Sequence, residues 1–96
     1  MGVQLVAGWN YDVIYGGISQ GIEAAIVSIK SKLIIMWVYR GGAWHMYDPL
    51  DLIDSDLTYL YNGETCQVNM KEAAYWVWAA TVPAQVSGLD VAYVKV

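Results

Sequence analysis

Ninety-six residues suffice for one hydrophobic core and leave no length for a second. With 57% of residues hydrophobic and 15% charged, the composition excludes a disordered chain. A net charge of −4, with five Lys and Arg in total, excludes the basic stripe that tracks nucleic-acid phosphates. The single cysteine, Cys66, rules out an internal disulfide and reads as an inert core thiol.

Along the chain, Val3 to Trp9 alternates and predicts a strand, and Asn10 to Gly17 carries it through Val13-Ile14-Tyr15 to a glycine pair. Ile18, Ile22, Ala25, Ile26 and Ile29 then recur at the spacing of one helical face. That spacing predicts a helix capped by Ser19, with Glu23 near its positive end and Lys30 and Lys32 at the other. Leu33 to Tyr39, rich in β-branched and aromatic residues, predicts a buried strand. Like every other purely apolar run here it is far short of the ~20 residues a membrane-spanning helix needs, so no membrane insertion is expected. Arg40-Gly41-Gly42-Ala43 predicts a hairpin turn and Trp44 to Tyr47 its second arm, ended by Pro49. Leu50 to Tyr61 reads as an irregular loop with one short helical turn. Asn62-Gly63 marks another turn, after which Thr65 to Met70 and Tyr75 to Val82 predict two strands. Pro83 breaks the second, and Leu89 to Val96 reads as a final edge strand. The expected fold is α+β: an antiparallel sheet of about five or six strands with one helix packed across it.

Five Trp and eight Tyr, with no Phe, are too many rings for so small an interior. Some must face outward, where a ring can serve contact with another molecule. Trp76 and Trp78 lie two apart on one strand and so share a face, with Tyr75 on the other. These three are the candidate binding residues, by stacking on polysaccharide or on a neighbouring domain. Trp9 and Trp44 read as core.

Gly8-Trp9-Asn10, the helical stretch, a strand with Trp37 and Tyr39, a glycine turn, Trp44, Tyr47-Asp48-Pro49, Asp56-Leu57, Leu60 and Gly63 follow in order. This series resembles a recurrent module of prokaryotic surface-layer and secreted surface proteins, over roughly residues 5 to 78. After Gly63 the module's Tyr-Trp pair is replaced by Thr65-Cys66-Gln67-Val68-Asn69-Met70. Length gives a single domain over residues 1–96, and the resemblance implies a non-catalytic module of a longer chain in the cell envelope or outside the cell.

Among groups able to do chemistry, Asp48, Asp51, Asp54 and Asp56 are candidate calcium ligands, because calcium takes six to eight oxygens. Their spacing is not that of the helix-loop-helix calcium site, and turn capping explains them as well. His45 is the sole histidine and no Cys-x-x-Cys pair accompanies it, so no transition-metal site is expected. Nine acids give chance carboxylate pairs but no motif for hydrolysis, and the glycines lack phosphate-loop spacing. The sequence therefore predicts no enzyme, but a structural or adhesive module that contacts neighbouring domains or copies of itself through aromatic rings. A carbohydrate-binding module and a virion or appendage protein are the alternatives.

Overall fold

The computed structural model describes residues 1–78; the strand expected over Leu89 to Val96, and the end of the one expected over Tyr75 to Val82, lie outside them. The described chain is rich in β-structure. Four strands make the main antiparallel sheet: β2 (Gly8–Ile14), β4 (Leu33–Arg40), β5 (Ala43–Tyr47) and β7 (Thr65–Met70), in the spatial order β2-β7-β4-β5. Two short antiparallel pairs flank it, β1 (Gly2–Leu5) with β8 (Ala74–Val77), and β3 (Gln20–Gly21) with β6 (Tyr59–Leu60).

Local chemistry explains the main sheet. Gly41 and Gly42, at φ of 62° and 82°, form a two-residue turn whose twist matches the flanking strands, and Arg40 pairs with Ala43 across it. In β7 the alternation is strict: Cys66, Val68 and Met70 are buried, while Thr65, Gln67 and Asn69 are not. In β4 a register shift between Leu33 and Ile35 lets both Leu33 and Met36 point inward. Met36 and Val38 of β4 thus join the buried side chains of β7 on one inner face. That face packs in a single core with Ile22, Ile26, Ile29, Leu57, Leu60 and Trp76.

The helix expected across the sheet is not there. A single turn, α1 (Ile22–Ala25), is all that forms, followed by turns and a short 3-10 segment over Lys30–Lys32. Gln20 and Gly21, expected in the helix, instead pair with Leu60 and Tyr59. The Ser19 hydroxyl accepts the Asn62 amide at 2.9 Å rather than capping a helix. Downstream, Ile29 and Lys32 donate to carbonyls three residues back, the tighter 3-10 pattern, through a run heavy in β-branched side chains. Ile22, Ala25, Ile26 and Ile29 are nonetheless all buried, so the apolar face read from the spacing is used by a different backbone path. Among the described residues no helix is long and apolar enough to cross a membrane.

Candidate functional site

The outer face of the main sheet carries rings on three of its four strands. β2 supplies Trp9 and Tyr11, β4 supplies Trp37 and Tyr39, and β5 supplies Trp44. Strand pairing puts Tyr39 opposite Trp44 and Trp37 opposite Met46 on one side and Gln67 on the other. Neighbouring strands lie about 4.8 Å apart, so β2 and β4 are separated by roughly 10 Å with β7 between them. Rings stand on both sides, and β7 contributes only the shorter Gln67. The result is an open cleft of about 540 Å³, lined by Trp9, Tyr11, Trp37, Trp44 and Gln67.

The rings brace one another. Trp9 and Tyr11 stack with centroids 5.9 Å apart and planes only 13° from parallel. Trp44 meets Tyr39 edge-on at 5.2 Å and Trp37 at 6.4 Å, both within the range where aromatic pairs attract. Packing of this kind fixes each plane and still leaves one side wet. Trp9 is 42% exposed, Trp44 52%, Tyr39 58% and Tyr11 70%.

A bulge sets the β2 wall. Regular pairing between β2 and β7 is interrupted between Asn10 and Val13, and Asp12 takes a positive φ of 55°. Gln67 holds this conformation: its side-chain oxygen accepts the Asp12 backbone N–H at 2.9 Å, and its amide nitrogen donates to Asp12 Oδ1 at 2.9 Å. Two residues earlier, Asn10 stitches the approach to β2. Its Oδ1 accepts the Val6 amide, and its Nδ2 donates to the carbonyls of Val6, Gly8 and Val68 at 3.0–3.2 Å. Gly8-Trp9-Asn10 thus anchors the chain at the start of β2 and presents Trp9 outward.

The ring surface on the main sheet differs from the one expected at β8. Trp76 has no exposed surface; it stacks on Tyr15 at 5.4 Å and donates its indole N–H to the Ala25 carbonyl at 2.8 Å. A ring enclosed in this way cannot stack on an outside partner, so Trp76 is a core residue. Trp78 is half-buried and edge-on to both Tyr15 and Trp76. Tyr75, on the opposite face of β8, is exposed, as alternation requires. Trp9 and Trp44, read as core, lie at the surface because they belong to the sheet face that no second layer covers among the described residues. Tyr11, Tyr39 and Trp37 were absent from the expected site. Their sign in the sequence is the two-residue spacing Trp9-x-Tyr11 and Trp37-x-Tyr39, the same spacing as Trp76-x-Trp78.

No protein-family model, no curated protein and no solved structure matches this chain.

Three of the four aspartates of the loop serve the backbone. Asp48 Oδ1 accepts the Leu50 amide at 2.9 Å and Asp51 Oδ1 the Asp54 amide at 3.3 Å. Asp56 Oδ1 accepts the Met46 amide at 2.9 Å, and its Oδ2 lies 2.9 Å from His45 Nδ1. Those contacts, the amide first, hold the Asp56 carboxyl below its usual range. Asp54 is pushed the other way, by its hydrogen bond to the Asp51 carboxylate. Asp48, Asp51 and Asp56 each cap a turn or the edge of β5, and among the described residues no three His, Cys, Asp or Glu side chains converge on one point. His45 is turned from the cleft, its second nitrogen 3.2 Å from the Arg40 carbonyl. Cys66 is buried beneath the sheet, and loss of water around it pushes its thiol up to about 12.

Arg40, at the β4 end of the sheet, is engaged through its Nε and Nη2. It grips Glu64 through two hydrogen bonds of 2.7 and 2.8 Å, donates to the Tyr59 carbonyl, and lies 4.9 Å over the Tyr61 ring. This is a structural clamp, and no cation lines the aromatic cleft among the described residues.

Proposed function

We propose that this chain is a non-catalytic contact module, structural or adhesive, whose working surface is the aromatic outer face of the main sheet. The observation that carries the reading is the set of braced, half-exposed rings of Trp9, Tyr11, Tyr39 and Trp44 on a single face. A small protein gains nothing in stability by leaving four large rings in water. At about 25 cal/mol per Å², each would contribute more if covered. Contiguous apolar surface of this kind marks contact sites, and rings fixed by their neighbours have little freedom left to lose on contact. The side chains of Asn10, Asp48, Asp51 and Asp56 are engaged in holding backbone, which favours contact over turnover. Assignment to the cell envelope or the extracellular space rests on the order of motifs from Gly8-Trp9-Asn10 to Tyr47-Asp48-Pro49.

The test is binding of the protein to sedimented bacterial envelope fragments, run beside sedimentation velocity for self-association. The wild-type protein shows one or the other, and the Tyr11→Ser, Trp44→Ser double variant loses it while remaining folded. Equal contact by both proteins would overturn the proposal.

A further inference from the structure

The cleft's own chemistry narrows what it holds. We infer that the trough formed by Trp9, Tyr11, Trp37 and Trp44 over Gln67 binds an uncharged polysaccharide chain; this rests on the contact reading above and specifies its partner. Three observations carry it.

The first is charge. The five lining residues are all uncharged, and the Asp12 carboxylate beside them, whose Oδ1 accepts from Gln67, offers an anion no partner. With no cation lining the trough among the described residues and a net charge of −4 on the chain, an anionic polymer would meet repulsion. A neutral chain meets neither difficulty.

The second is area. The exposed rings of this face, Trp9, Tyr11, Tyr39 and Trp44, are about half exposed and at roughly 150–250 Å² each present on the order of 400 Å². A stable protein–protein interface buries about 800 Å² per partner. The rings alone fall well short of that, and their area suits a narrow ligand lying along the trough.

The third is the mixture of faces and edges. Sugar rings present apolar C–H faces and a hydroxyl rim. The near-parallel pair Trp9 and Tyr11 offers flat π-surface to such a face, and Trp37 and Trp44, nearly perpendicular to each other at 86°, bound the other side. The floor is polar. Gln67 uses one amide hydrogen and one lone pair of its oxygen on Asp12, leaving a second donor and a second acceptor in fixed orientation. An apolar protein surface docked here would strip water from that amide and return nothing, at a real cost. A hydroxyl can both accept from it and donate to it.

The experiment is affinity electrophoresis of the protein through native gels containing β-glucan, xylan or galactomannan, with alginate and heparin as anionic controls. At least one neutral polymer is expected to retard the wild-type protein, and neither anionic one. Trp9→Ala and Trp44→Ala are each expected to weaken that retardation at least tenfold, and Gln67→Leu several-fold, with urea midpoints confirming that the variants are folded. Trp78→Phe, remote from the trough, is expected to retain it. Absence of retardation by every neutral polymer overturns the inference, as does equal retardation of the Trp9→Ala and Trp44→Ala variants. If the envelope or self-association assay still depends on Tyr11 and Trp44 in that case, the contact reading stands and only the glycan is lost. If that dependence is missing too, both fall.

Discussion

Asp12 and Gln67 hold each other through two reciprocal 2.9 Å hydrogen bonds, and the orientation of the aromatic cleft depends on that pair. The Asp12 backbone sits at positive φ, where a residue with a Cβ costs roughly 1–2 kcal/mol. The Gln67 amide offsets this by satisfying the Asp12 N–H across the bulge. In this way a side chain on β7 keeps Tyr11 beside Trp9 on β2.

Removing that amide separates geometry from stability. Gln67→Ala is expected to cost about 1 kcal/mol in urea unfolding, the net worth of a pair of partly exposed hydrogen bonds. Near-ultraviolet circular dichroism should lose the Trp9–Tyr11 component. Asp12→Gly removes the backbone strain along with the carboxylate, so it should lose the same signal at smaller cost. A spectrum unchanged in both variants would show that the bulge does not orient the rings.

The tryptophans should divide by environment. Trp76→Ala is expected to destabilise by about 3–5 kcal/mol, because it opens a cavity and leaves the Ala25 carbonyl without its donor. Trp44→Ala, losing only edge contacts with Tyr39 and Trp37, should cost about 1 kcal/mol. Acrylamide should quench Trp9 and Trp44 and leave Trp76 untouched, measured in variants retaining one tryptophan at a time as Trp→Phe backgrounds allow. Similar quenching of all three would contradict the burial pattern.

Acid should loosen the Arg40 clamp. Unfolded, a glutamate titrates near 4.5; in the folded chain the Arg40 hydrogen bonds hold Glu64 below that. The folded state thus binds this proton more weakly than the unfolded state. Its contribution is complete above about pH 4.5 and is lost as pH falls through the lowered folded value. Both side chains keep some exposure, 32% for Arg40 and 17% for Glu64, so solvent screening leaves about 1–2 kcal/mol. Glu64→Gln should lower stability at pH 7 by that amount and flatten the acid limb of the stability curve. An acid limb as steep as that of the wild-type protein would assign the effect to other carboxylates.

Two glycines should respond with opposite signs. A Cβ on Gly17 would stand 2.5 Å from the Tyr15 hydroxyl and 2.7 Å from the Trp78 Cβ, so Gly17→Ala is expected to cost about 1–3 kcal/mol. Gly21 has open space around it and φ of −58°, which alanine adopts freely. Gly21→Ala should be neutral or stabilise by up to about 1 kcal/mol through the unfolded state. Urea midpoints of the two variants falling on the same side of the wild-type protein would contradict this packing.

Strand positions were legible where the signal is local. Thr65 to Met70 alternates so regularly that its limits match β7, and the Gly41-Gly42 turn fixes the register of β4 on β5. The helix failed for a non-local reason: whether Gln20 and Gly21 begin a helix or join a strand depends on Tyr59 and Leu60, almost forty residues away. The site failed for a related one. Alternation tells which rings share a face but not which face stays wet, because that depends on what the rest of the chain covers. On β8 the Trp76 side is roofed by Tyr15 and the turn at Ala25, while on β2, β4 and β5 the ring side is open among the described residues. In β4 both faces are apolar, so hydrophobicity could not rank Met36 and Val38 above Trp37 and Tyr39.

The contact surface is tested most directly by the five indole N–H signals in a nitrogen–proton correlation spectrum, recorded while a retarding neutral polysaccharide is added. The cross-peaks of Trp9, Trp37 and Trp44 should shift or broaden with saturation while Trp76 stays in place. Shifts confined to Trp76 and Trp78, or none at saturating polymer, would contradict a binding face on the main sheet.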